Sequence, residues 1–203
     1  MTQTINTAAP AYLDQSTNVL ADAEAWVPLI TTVVSGTSTT NIQMQSSTGA
    51  NDWSQYMDLV LIGSARSLTT DSTVNLRFNN DTGSNYVGQI LQGNGTDDTA
   101  YFQTLTNADI GTIPRSSDTA DYFGSFQYEI FDINSGKYTS LLGQRANNMN
   151  AAGSPNLTAI TTFCWQNQAA VTEIDVFIAS GTGAFAANSR FDLFGVLPRM
   201  VTV

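Results

Sequence analysis

In "TVNLRFN" every second residue is apolar: Val74, Leu76 and Phe78 lie to one side, Asn75 and Arg77 to the other. A two-residue period marks a strand with one buried face, and a slip of one residue would turn that face to solvent. The period recurs in "NIQMQ", with Ile42 and Met44 together, and in "FGSFQYEIFDI", where Phe126, Tyr128 and Ile130 oppose Gln127 and Glu129. "AWVPLITTVV" is rich in β-branched residues, and "YMDLVLIGSA" is almost continuously apolar, as in a central strand covered on both sides. "AITTFCWQ", "TEIDVFIA" and "SRFDLFGVL" complete the set. Between them lie "NNDTGSNY", "GNGTDDTA", "NSGK" and "NNMNAAGSPN", all Gly/Asn/Asp turn chemistry. About eight to ten strands with no convincing helix after residue 25 predict an all-β, jelly-roll-like antiparallel β-sandwich.

Residues 1–25 differ. They are polar, poor in large apolar groups and broken by Pro10, with a weakly helical stretch near Val19–Ala25. They read as an N-terminal arm before a single sandwich domain over 26–203. Two readings of the arm stand side by side: a frayed terminus, or an anchor that orders on a neighbouring subunit.

Composition removes several function classes. Only 12 % of the 203 residues are charged, and the net charge is −10, with one lysine, Lys137, among seven basic residues. No basic stripe of any length can form, so nucleic-acid binding is not expected. No apolar stretch approaches the ~20 residues of a membrane span. The first fifteen residues lack the basic and apolar regions of a secretory signal, so cytosolic synthesis is the expectation. The single cysteine, Cys164, excludes an internal disulfide and reads as a small core hydrophobe on a strand.

There is no histidine, which removes Ser-His-Asp and Cys-His nucleophile systems and His-containing zinc sites. "GTGAFA" at 181–186 matches a relaxed dinucleotide fingerprint and follows a strand, but that fingerprint must open a helix. Here it opens "NSRFDLFGV", an alternating run, so Gly181 and Gly183 read as turn residues between the last two strands. Glu173 and Asp175 share a strand face and could serve a glycosidase; the plainer reading is a solvated face. Asp97 and Asp98 sit in a glycine turn, and "NNDTGSN" lacks the spacing of a calcium loop. Trp53, Tyr56, Asp81, Asn85 and Tyr86 put aromatic faces beside amides and carboxylates, as a sugar platform does; alternatively Tyr56 and Tyr86 cap the ends of the sandwich core. No catalytic, metal-binding or cofactor-binding residue is assigned.

The segment "WSQYMDLVLIGSARSLTTDSTVNLRFNNDTGSNY" resembles a pattern of small structural proteins of tailed bacteriophages: a Y-x-x-L strand, an Arg-containing turn, then V-x-L-R-F-N-x-D-x-G-x-N-Y. The ending "GTGAFAANSRFDLFGV" is similar to their closing F-A-A-G-S-x-F-x-L-Y-G-I, with Asn188 in place of Gly and Phe194 in place of Tyr. Asn tolerates a left-handed backbone nearly as well as Gly, so the turn should survive. The likeness covers about Trp26 to Val196. It implies a non-enzymatic β-sandwich module of the virion, made in the host cytoplasm, and carries over no catalytic residue. A compact domain with a polar arm, and without shaft, coiled coil or β-helix repeat, fits a capsid decoration (cement) protein. Its expected partners are the major capsid protein and neighbouring copies, as a homotrimer at three-fold positions. Tyr12, Leu13, Val19 and Leu20 would supply the arm's contacts. The alternative is a tail-fibre, baseplate or head-fibre module that recognises host surface glycan.

Overall fold

The computed structural model describes residues 26–36, 39–147 and 156–197, with the backbone of β1 (Leu13–Asp14) and β2 (Val19–Leu20). These two short strands pair with each other antiparallel, so Val19 and Leu20 open no helix. Tyr12 and Ala21–Ala25 lie outside the described residues. From Trp26 on come β3 (Trp26–Val33), β4 (Asn41–Gln45), β5 (Asp58–Ala65), β6 (Thr73–Phe78), β7 (Tyr86–Gly93) and β8 (Asp98–Leu105). They are followed by β9 (Ala108–Thr112), β10 (Gly124–Phe131), β11 (Thr139–Asn147), β12 (Leu157–Trp165), β13 (Glu173–Ile178) and β14 (Arg190–Val196). The only helical turns among the described residues are 3-10 segments at Gly49–Asn51 and Trp53–Gln55.

All ladders are antiparallel, in an eight-stranded sheet ordered β3-β14-β5-β10-β11-β12-β7-β8 and a four-stranded sheet ordered β4-β13-β6-β9. The topology is a hairpin rolled on itself. β3 pairs with β14, β4 with β13, β5 with β10 and β6 with β9, and the chain passes from one sheet to the other between β3 and β4, β4 and β5, and β5 and β6. This is the jelly-roll arrangement. Two insertions enlarge it: β7–β8 between β6 and β9, and β11–β12 between β10 and β13. They join through the β12–β7 ladder and double the width of one sheet.

The inward residues of both sheets merge into one apolar core. Val74, Leu76 and Phe78 meet Ile174, Val176 and Ile178 across the β6–β13 ladder, and Leu59, Leu61 and Leu193 line the facing sheet. Each such side chain contributes about 1.5–3 kcal/mol on burial. Gly63, Gly88 and Gly143 let an aromatic ring from the neighbouring strand lie flat over the sheet. A Cβ at each would sit 2.1–2.4 Å from Phe126, Phe163 or Tyr128. This is a cross-strand device for filling a core without bulky residues on every strand.

β13 and β14 lie in different sheets, so the segment 179–189 is a crossover and not a hairpin. Gly181 has φ 70°, the left-handed turn its position requires. Asn188 has φ 69°, a left-handed backbone that Asn tolerates, and donates its N–H to the Val34 carbonyl. No helix follows, so the phosphate-loop reading has no structural support. Phe185 sits instead in the core, edge-on to Phe191 at 5.0 Å between ring centroids.

Candidate functional site

The sugar-platform residues belong to the core and its turns. Trp53, Tyr56 and Tyr86 are at most 2 % exposed. The Trp53 indole N–H donates to Asn51 Oδ1 at 3.0 Å, and Asn134 Nδ2 donates to the carbonyls of Trp53 and Tyr56. The Tyr56 ring covers Gly195, which leaves no room there for a Cβ. Tyr86 stacks on Trp165 and Phe78, and its hydroxyl accepts the Phe78 N–H at 2.8 Å. Burial raises its hydroxyl pKa. Asp81 accepts from the Gly83 N–H, Asn85 Nδ2 and Trp165 Nε1 at 2.8–2.9 Å. Burial works to raise Asp81, but these bonds outweigh it and hold the carboxyl below its ordinary value. Asp81 and Asn85 therefore close a turn over Trp165, and the three aromatic rings offer no open face to a sugar. The reading in which Tyr56 and Tyr86 cap the core is the one the burial supports.

The carboxylate pair has a different environment from the solvated face expected. Asp175 is 2 % exposed on β13, the middle of the small sheet. Asn41 Nδ2 donates to it at 2.6 Å, and it shares a hydrogen bond with Glu173. Glu173 accepts from Gln43 and Gln45 on β4, each at 2.9 Å, and from Asn80 in the β6–β7 turn. Burial and the adjacent Glu173 raise the Asp175 carboxyl, against the pull of Asn41; burial also works to raise Glu173, but its amide donors hold it low. One proton is thus favoured on Asp175, and the amides carry the charge on Glu173. Hydrolysis with retention needs carboxyls about 5–5.5 Å apart across a bound sugar; here the pair is spent on each other and on amides. Among the described residues no cluster of three or more His, Cys, Asp or Glu is placed to hold a metal.

The feature that stands out is the outer face of the eight-stranded sheet. Strand register fixes which side chains share it: Gln127 and Glu129 on β10, Leu142 and Gln144 on β11, Ile160 and Thr162 on β12, Gln89 and Leu91 on β7, and Ala100 and Phe102 on β8. Ile160 lies directly opposite Leu91, and Phe102 is diagonal to Leu91. Leu142, Ile160, Leu91 and Phe102 are 46, 55, 57 and 67 % exposed. Adjacent shallow grooves of about 370, 340 and 260 Å³ cross the same face, lined by Gln, Ser and Thr side chains; Leu142 lines the second and third, and Ile160 the third. Among the outward positions of β10, β11, β12 and β7 the one charged side chain is Glu129. Cys164 also points outward, half-buried in one of the grooves; burial raises its thiol pKa, which lowers its reactivity. This face is not legible in the sequence, because β7, β8 and β11 lack one clean apolar side and do not stand out as strands. The apolar residues on both faces of "YVGQIL" were the available signal.

The Arg-containing turn after β5 is structural. Arg66, 8 % exposed, donates to the carbonyls of Asp118 and Thr119 at 2.7 Å each and to that of Tyr122 at 3.4 Å, tying down the segment before β10.

No family model matches the chain, and no curated protein matches it. Among solved structures, peanut lectin with a nine-residue peptide aligns over 90 % of this chain and 97 % of that one, at 8 % identity and a TM-score of 0.23. At that score the likeness supports no functional reading.

Proposed function

We propose that the chain is a non-enzymatic structural protein of a bacteriophage virion, a capsid decoration protein that docks through the outer face of its eight-stranded sheet. The observation that carries the reading is the part of this face formed by β10, β11, β12, β7 and β8, where Glu129 and Asp98 are the only charged residues at outward strand positions and four large apolar side chains are about half exposed or more. Surfaces of this kind mark protein contacts: an apolar centre, neutral polar groups around it and few charges to desolvate. An acidic, amide-rich remainder suits a protein held at very high local concentration on a particle. The major capsid protein and neighbouring copies are the partners, with the arm (Tyr12, Leu13, Val19, Leu20) lacing one copy to the next. A sugar platform built from Trp53, Tyr56 and Tyr86 is disfavoured by the burial of all three rings.

A reattachment assay tests the reading. Particles stripped of this protein are mixed with purified full chain, with chain lacking residues 1–25, or with Ile160→Glu. The full chain should rebind, and Ile160→Glu should reduce occupancy at least about tenfold, since a charge would be desolvated at the centre of the contact. Removal of residues 1–25 should abolish attachment while the sandwich stays folded. Full rebinding by both variants would dispose of the proposal.

A further inference from the structure

The wide sheet ends in a strand guarded against pairing only by the acids at its start, Asp97 and Asp98. Edge strands are normally blunted by proline, lysine, a bulge or shortness. β3, at the opposite end, has Pro28 and a register shift against β14 between Leu193 and Phe194. In the small sheet, β9 meets β6 through a register shift, and β4 has five residues. β8 differs from all three. Its eight residues, Asp98–Leu105, keep unbroken register with β7, contain no proline and no basic residue, and present Phe102 at 67 % exposure.

We infer that β8 pairs with β8 of a second copy, antiparallel across a two-fold axis normal to the sheet, continuing the eight-stranded sheet into its partner. Charge selects the direction. The chain's net charge is −10, so copies repel, yet the acids of this strand, Asp97 and Asp98, sit together at one end. Antiparallel pairing sends the two acidic ends roughly 25 Å apart, well beyond the Debye length of about 8 Å. Parallel pairing would set them side by side.

Symmetry then limits the register. An axis normal to the sheet keeps outward side chains outward, so Phe102 must meet an outward residue of the second copy. Centring on Tyr101 would put Leu105 opposite Asp97. Centring on Phe102 puts Phe102 against Phe102, Leu105 against Thr99 and Tyr101 against Gln103, and sets no acid against an apolar group. The second register is the one inferred. The contact supplies a copy-to-copy link for the assembly reading and rests on that reading for its biological setting. Its test uses purified chain, so a failure to bind particles leaves it standing.

Sedimentation equilibrium of the full chain should give a concentration-dependent monomer–dimer equilibrium. Phe102→Lys, at an exposed position, should fold normally by circular dichroism yet weaken dimerisation roughly tenfold or more through the lost ring pair and the apposed cations. Nitroxide labels on the Thr104→Cys, Cys164→Ser variant, which keeps Phe102, should show dipolar broadening at roughly 14 Å that disappears on dilution with unlabelled chain. A chain that stays monomeric at every concentration, or that assembles as a closed trimer, would overturn the inference. So would dimerisation unaffected by Phe102→Lys, or labels too distant to couple. A chain that dimerises only after residues 1–25 are removed would assign the β8 edge to its own arm instead.

Discussion

The space above Gly143 is taken by the ring of Tyr128, and an added Cβ would lie 2.3 Å from the Gln127 carbonyl oxygen. Backbone cannot yield as a flexible side chain can. Gly143→Ala should therefore destabilise the fold by about 1–3 kcal/mol, read as a lower midpoint in urea with unchanged slope; an unaltered midpoint would contradict the packing described. Burial also pushes the Tyr128 hydroxyl up to about 12, so it should remain neutral at neutral and mildly alkaline pH. Asp175 makes a second residue-scale prediction. Its carboxyl is raised in the folded state, so its contribution to stability is complete below the ordinary value of 3.8 and is lost as pH rises through the folded value. Glu173, held low, has the opposite sign: its contribution is present at neutral pH and lost in acid. Asp175→Asn keeps an acceptor for Asn41 and gives Glu173 a permanent donor. It should leave acid stability little changed and raise stability at neutral pH by about 1 kcal/mol, the size of one net hydrogen bond. Thermal melts across that range check this, and a variant less stable at neutral pH would mean that the buried carboxyl is charged.

At the scale of the element, the strands legible in the sequence are those with one clean apolar face. β4, β6 and β10 bury Ile42 and Met44, then Val74, Leu76 and Phe78, then Phe126, Tyr128 and Ile130, as their two-residue period requires. β8 defeats that reading because both its sides are partly exposed, so aromatic and polar residues alternate without an inside. β11 defeats it for another reason. Its inward positions include Arg145 and Asn147, and Arg145 forms a buried ion pair with Asp109 of β9. An apolar period cannot be read where the core itself holds a charge pair. Trp53, Tyr56 and Tyr86 stand near polar turns in the sequence, and their spacing gives no sign of which way the rings point. The segment tied down by Arg66 offers the test at this scale. Arg66→Ala removes charged hydrogen bonds worth about 1.5–3 kcal/mol each to the carbonyls of residues 118–122. Amide exchange there should accelerate at least about tenfold while β5 and β10 stay protected; exchange unchanged at 116–123 would show that the loop holds itself.

For the whole molecule, the separation of charge from contact surface is the organising feature. Net charge −10 is spread over a chain with seven basic residues, while the outward positions of β10, β11, β12 and β7 hold one carboxylate. Association of copies through apolar area should therefore be opposed by long-range repulsion and strengthened by salt, which screens the repulsion without weakening burial. Light scattering between about 20 mM and about 500 mM NaCl should show association rising with ionic strength; a fall would mean that ion pairs hold the copies together. The proposed decoration role sets this protein on the head of a virion. Gold-labelled antibody against the protein, viewed on intact particles by electron microscopy, tests it most directly. Label spread evenly over the head is the predicted result. Label confined to the tail, or absent from the particle, would contradict it.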